Sequence, residues 1–160
     1  MRKLIILALV SIFSSQLLQA QTAYVELGGP GLASLNFDTR FTGKEDGIGG
    51  RVGVGGFSIS DGNGNNAGVV FIPLGVNYLF GKDERNYFEV GGGITPVLGT
   101  GNSGSDFSET FGHLLFGYRM QPKAGGFTFR AFISPIFASG TFIPYYGGLP
   151  FGYKFNSKKD

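Results

Sequence analysis

Beyond residue 20 the chain alternates in character, and the face its bulky residues leave over is mostly glycine. In residues 32–42, Leu35, Phe37, Thr39 and Phe41 share one face while Asn36, Asp38 and Arg40 share the other. In 47–58, Val52 and Val54 oppose Arg51, Gly53 and Gly55. Ile72, Leu74, Val76, Tyr78 and Phe80 oppose Pro73, Gly75 and Asn77. Phe127, Phe129, Ala131 and Ile133 oppose Thr128 and Arg130, and Tyr145, Leu149, Phe151, Tyr153 and Phe155 oppose Tyr146, Gly148, Gly152 and Lys154. A period of two is that of a β-strand. In a soluble sandwich the second face would meet water and carry plentiful Lys, Glu and Thr. Glycine with isolated charges suits the crowded interior of a narrow barrel, which leaves the apolar face for lipid.

Eight such segments can be read, at 22–30, 32–42, 47–58, 68–80, 85–97, 108–120, 125–138 and 142–155. No stretch after residue 20 is apolar for the ~18 residues a spanning helix needs, so a closed barrel is the remaining way across a bilayer. The expected fold is therefore all-β: an eight-stranded antiparallel up-and-down transmembrane β-barrel over residues 21–160. Short charged breaks at Thr42–Asp46, Gly81–Glu84 and Gln121–Ala124 alternate with more variable ones at Gly28–Gly31, Asp61–Asn66 and Gly99–Ser108. Uniform short turns belong to the periplasmic side of an outer-membrane barrel, which puts both termini in the periplasm.

Residues 1–20 read as a cleaved signal peptide. Arg2 and Lys3 precede the apolar run Leu4–Phe13, and Leu17-Leu18-Gln19-Ala20 leads to a small residue at the cut. Of 13 basic residues in the chain, those two leave with the leader, so 11 remain against 11 acidic ones. A neutral mature chain without a Lys/Arg-rich run is not a nucleic-acid binder. The absence of cysteine excludes disulfides, Cys-based metal sites and a lipidated N-terminus, and a single histidine excludes a His-rich metal site. All 29 glycines lie after residue 27, yet 17 Phe and 7 Tyr set the chain apart from glycine-rich disordered sequences.

The pattern resembles the small outer-membrane β-barrel proteins of Gram-negative bacteria, including the uncharacterised "outer membrane protein β-barrel" domain family. The residues that carry the resemblance are Ser34–Phe41, Ile72–Lys82 and the closing strand Phe151-Gly152-Tyr153-Lys154-Phe155. It implies outer-membrane lipids and the barrel-assembly machinery as partners, with a monomeric barrel and no cofactor. Alternating aromatics ending in Phe155 are similar to the signal that machinery reads, although Asn156–Asp160 follow where many such barrels end on the aromatic.

Three groups of residues are candidate sites. Glu26, Asp38, Arg40, Arg51, Glu89, Arg119, Arg130 and Lys154 face inward, and as buried charges they must pair, which predicts an interior polar network plugging the periplasmic half. Gly53, Gly55, Gly91, Gly93, His113, Ser134 and Tyr146 line a candidate vestibule in the outer half, unless large neighbours such as Phe132 fill it. His113 is the one candidate general base, with Glu109 on its own face; Ser108 has the opposite parity, which makes a Ser-His-Glu arrangement poor. Gly53–Gly56 and Gly91–Gly93 lack the strand–loop–helix setting of a phosphate loop, and Asp61–Asn66 lacks the downstream Glu of a calcium loop.

Three functions follow as expectations. The first is a non-enzymatic barrel for envelope integrity or surface interaction. The second is a barrel binding or passing a small amphiphile through the outer vestibule. The third is a lipid A-modifying enzyme using His113.

Overall fold

The computed structural model describes residues 21–42, 44–60, 66–101 and 106–155. Residues 1–20, read above as a signal peptide, the centre of the break at 61–66, residues 102–105 and the tail after Phe155 lie outside the described residues. Among the described residues there are eleven strands: β1 (Thr22–Gly28), β2 (Ala33–Arg40), β3 (Gly47–Ser60), β4 (Asn66–Phe71), β5 (Leu74–Phe80), β6 (Asn86–Gly101), β7 (Phe107–Met120), β8 (Gly126–Ile133), β9 (Ile136–Ala138), β10 (Thr141–Ile143) and β11 (Gly147–Lys154). Three pairs are single staves with a short interruption. β4 and β5 break at Ile72-Pro73, β8 and β9 at Ser134-Pro135, and β10 and β11 at Pro144–Tyr146. Each break contains a proline, which has no N–H to give to a ladder. The staves number eight.

All pairings are antiparallel between neighbours in sequence, and β1 pairs with both β2 and β11, which closes the barrel. The eight segments read from the alternation match the eight staves to within a few residues at their ends. The segment expected at 68–80 starts earlier, at Asn66, and is split by its proline.

The molecule is inside out relative to a soluble domain. Among the described residues, eighteen buried polar or charged side chains stand against six buried large apolar ones, and Leu35, Val54, Val76, Ile133 and Phe151 lie exposed. Only lipid matches an apolar outside wrapped round a charged inside. Aromatics collect near the end that carries both termini, with Tyr78 beside Phe80 at 4.5 Å and Tyr153 beside Phe155 at 5.6 Å between ring centroids. Such a girdle marks a membrane–water boundary. One expected outward residue departs from the belt: Thr39 is buried. Its ladder partner is Gly50, and the Phe41 ring lies over that glycine, so the aromatic shelters the small pair.

The wall is not level. The hairpin joining β1 and β2 turns at Gly28–Leu32 as a 3-10 turn whose Gly29, Pro30 and Gly31 are all buried, because the loop folds into the lumen. Gly29 has φ +65°, and a Cβ there would lie 2.6 Å from Glu26 Oε1 and 2.8 Å from the Phe132 ring, so only glycine fits the close approach. Opposite this low hairpin, β3 and β4 pair on to Ser60–Asn66, β4 and β6 to Ala67–Gly101, and β6 and β7 to Gly99–Phe107. β9 and β10 continue this raised rim on its far side.

Candidate functional site

The barrel interior concentrates buried charge, and every stave contributes a polar side chain to it. Asp38 on β2 sits at the centre. It accepts from Arg40 Nη2 at 2.6 Å, Arg119 Nη2 at 3.0 Å and Asn77 Nδ2 at 2.8 Å, with Arg130 Nη2 at 3.5 Å. Asn77 also donates to Glu89 Oε1 at 2.6 Å and accepts from Arg40 Nη2 at 2.5 Å, so one amide links two acids and a base. Glu89 faces Arg119 and Arg130, each at 3.5 Å. Arg51 Nη2 lies 3.3 Å from Glu26 Oε1, just beneath the inturned hairpin. The Arg130 guanidinium rests 4.1 Å over the Tyr24 ring.

The terminal end closes with a second cluster. Lys154 donates to Glu45, and also to the carbonyls of Pro122 at 3.2 Å and Lys123 at 2.9 Å. Gln121 donates to Glu45 at 3.3 Å and accepts from Arg119, tying this cluster to the one above. The turn carrying Glu45 thus folds across the barrel end.

The eight charges named from the sequence are all buried; six of them meet in these two clusters, and Glu26 and Arg51 pair with each other. Tyr24, Asn77, Gln121 and Glu45 join them. The first two were legible as inward by parity, Tyr24 with Glu26 and Asn77 with Gly75. Glu45 was not, because a turn residue has no parity to read.

The network is cationic and incompletely paired: four arginines meet three carboxylates. Nε and Nη1 of Arg51 and all three nitrogens of Arg130 lack a hydrogen-bond partner within the protein. No side-chain passage remains through this layer, since Arg40, Arg119 and Arg130 are among the largest fully buried side chains.

The candidate vestibule residues fall elsewhere. Gly53 packs against the Asn36 amide, Gly55 against the carbonyls of Gly31 and Ala33, and Gly93 against the Leu74 carbonyl. Phe132 lies buried with its ring between Gly29 and Gly148. At these points glycine admits neighbouring backbone and one aromatic ring. Ser134 is buried and donates to the Leu114 carbonyl at 2.7 Å.

His113 is buried, with Thr95 Oγ1 3.4 Å from its Nδ1 and the Phe111 ring edge-on at 6.4 Å. Glu109 does not orient it. That carboxylate lies in the exposed rim, opposite Val97, while Thr95 takes the place beside the imidazole. Ser108 is also exposed in the rim, opposite Leu98. The three groups of a hydrolytic triad are not assembled here.

The turns at the terminal end hold a polar cavity of about 370 Å³ lined by Lys44, Glu45, Asp46, Gly81, Lys82, Glu84, Tyr87 and Lys123. Within these turns the Asp83 carboxyl is held below its ordinary range by the Asn86 side chain and by the N–H groups of Asn86 and Arg85. Lys123 is raised by its hydrogen bond to Glu84 at 2.5 Å. Both are fully exposed surface arrangements that fix turn shape and contribute little to stability.

The rim is the second unusual region. Ladder register runs through β3, β4, β6 and β7 without a bulge, so parity assigns faces along its whole height. Arg51, Gly53 and Gly55 face inward; so therefore do Phe57 and Ile59. His113 and Leu115 face inward; so do Phe111 and Phe107. Over the rim Phe57, Ile59, Phe107 and Phe111 lie on the inner face, and the outer face carries Gly56, Ser58, Ser60, Ser108 and Thr110 together with the exposed Val70 and Leu98, which share a row with Gly56 and Ser108. Above the row Gly56–Val70–Leu98–Ser108, the described outward positions are Ser58, Ser60, Asn66 and Gly68, which is not a lipid surface.

No protein-family model matches the chain, and no curated protein matches it. Solved structures do. The N-terminal β-barrel domain of Pseudomonas aeruginosa OprF is similar with a TM-score of 0.56 at 14% identity, covering 85% of this chain and 96% of that one. Ail, the attachment invasion locus protein of Yersinia pestis, is similar with a TM-score of 0.48 at 16% identity, covering 86% and 99% respectively. The first likeness shows the fold, a small closed β-barrel.

Proposed function

We propose that the protein is a non-enzymatic outer-membrane barrel, with both termini in the periplasm, that anchors a raised β-rim at the cell surface for interaction with other molecules. The observation that carries this reading is the contrast between the two halves. The lumen is crossed by charges from seven staves and the Asn77 amide of the eighth, whereas the top of the rim, above Val70 and Leu98, is a polar-backed sheet. A plugged eight-stranded barrel is a poor pore. The belt gives outer-membrane lipids their contact, the aromatic-rich closing strand suits the barrel-assembly machinery, and the barrel closes on itself as a monomer.

Orientation is tested by labelling. The chain has no cysteine, so Ser108→Cys and Lys123→Cys each introduce a single thiol. An impermeant maleimide on intact cells should modify the first and spare the second. The opposite pattern would reverse the barrel and remove the surface reading.

His113 supplies the test against enzymology. His113→Ala should leave the host's lipid A profile by mass spectrometry unchanged, because neither Glu109 nor Ser108 stands beside the ring and no described acid orients it. A changed profile would promote the lipid-modifying alternative.

A further inference from the structure

In the rim, β3 has one partner where it should have two. Among the described residues its pairing with β2 ends at Ser34–Gly55, while its pairing with β4 continues to Ser60–Asn66. Antiparallel strands turn alternate residues to alternate neighbours. The Gly53 N–H bonds Pro73 and the Ile48 carbonyl accepts from Phe41, so odd residues of β3 face β4 and β5 and even ones face β2. Ser58 and Ser60 therefore aim their N–H and C=O groups into the notch above the low first hairpin. On the notch's other side stands β10, paired with β9 alone. The notch is the height that β1 and β2 fail to fill, two strands wide.

We propose that this notch is a strand-docking slot for an extended segment of another protein. Unpaired backbone groups in a row accept only a β-strand in register, and they select that occupant over a lipid, which has no amide to offer. The inner face beside the edge, with Phe57 48% and Ile59 63% exposed, takes the apolar side chains that such a strand presents at alternate positions. The outer face, Ser58 and Ser60, leaves the intervening positions in water. The partner chemistry is thus a flexible segment of alternating apolar and polar residues. This inference rests on the surface reading given above.

The experiment uses the full mature barrel in nanodiscs and a fluorescein-labelled peptide, Thr-Phe-Thr-Val-Thr-Phe-Thr-Val. Controls are a peptide of the same composition with its apolar residues in one block, and an alternating peptide N-methylated at every second amide. Saturable anisotropy is expected for the first peptide, at least tenfold weaker binding for both controls, and hydrogen-exchange protection of the Ser58 and Ser60 amides on binding. Ser58→Pro removes a donor that serves no internal ladder bond, so it should abolish binding while heat-modifiable migration stays as in the parent protein. Absence of saturable binding, equal binding of the N-methylated peptide, or binding untouched by Ser58→Pro would each overturn the slot. Displacement of the peptide by dodecyl maltoside without amide protection would overturn it in favour of a lipophile cup. The maleimide pattern is read separately, so failure of the slot and failure of the orientation remain distinct.

Discussion

Asp38→Ala should destabilise the barrel more than any other single interior change. Its carboxylate is fully buried and shared among Arg40, Arg119 and Arg130, with Asn77 as a fourth donor. Removing it leaves three guanidinium groups with Glu89 as their nearest acid. Breaking one buried ion pair by deleting a partner costs about 3–5 kcal/mol, because an uncompensated charge stays buried. The loss should reach the upper part of that range, since several cations depend on one anion. The measurement is the urea midpoint of the heat-modifiable species. At a slope of about 1–3 kcal/mol/M the midpoint falls by a molar unit or more. Replacing acid and base together, as Asp38→Leu with Arg130→Met, should recover part of the loss. A shift under about 1 kcal/mol in the single variant would show the interior to be hydrated instead of closed.

The second large effect is on the outside. Val76 is 57% exposed and pairs with Gly50 and Gly92 near mid-height of the belt. Val76→Arg puts a cation into lipid at a cost of about 2–4 kcal/mol near the midplane, falling to about 0–1 near the interfaces. Ser58→Arg occupies a face of the same outward parity but lies in the rim, opposite Gly68 and above the Val70–Leu98 row. Its cost should be under about 1 kcal/mol by the same principle. Equal penalties at the two positions would mean that the rim is immersed, and would remove its role as an extramembrane platform.

Most of the barrel is legible in the sequence because its determinants are local and periodic. Asn36, Asp38 and Arg40 at spacing two can be inward only if Leu35 and Phe37 are outward, and that choice fixes the stave. The rim is harder to see, although its signal is in the chain. Between Val54 and Phe57 the bulky members of β3 shift from even to odd positions, and between Phe111 and Leu114 those of β7 shift from odd back to even as that strand runs down from the rim. A phase change of this kind is the mark of a strand leaving lipid, and it is lost when each segment is given a single face. The inturned first hairpin was not legible. Gly28-Gly29-Pro30-Gly31 reads as a tight turn, but whether a turn folds over or into a lumen depends on what the opposite staves leave room for. The same holds for Glu45, whose place beside Lys154 is set by a chain approach of 109 residues.

The distribution of the interior charges also constrains how the barrel can form. One polar member comes from each stave: Glu26, Asp38, Arg51, Asn77, Glu89, Arg119, Arg130 and Lys154. No subset of consecutive staves is self-sufficient, since Asp38 near one end of the chain answers to Arg119 and Arg130 near the other. The seam of seven residue pairs from Thr22–Lys154 to Gly28–Gly148 joins the first and last staves and bears the largest loop-closure entropy. Until it zips, the charges keep their water. Once it zips, a slip of one residue anywhere in the ladder would turn a guanidinium toward lipid. The network therefore acts as a checksum on assembly, satisfied only when eight staves have arrived in the correct order and register.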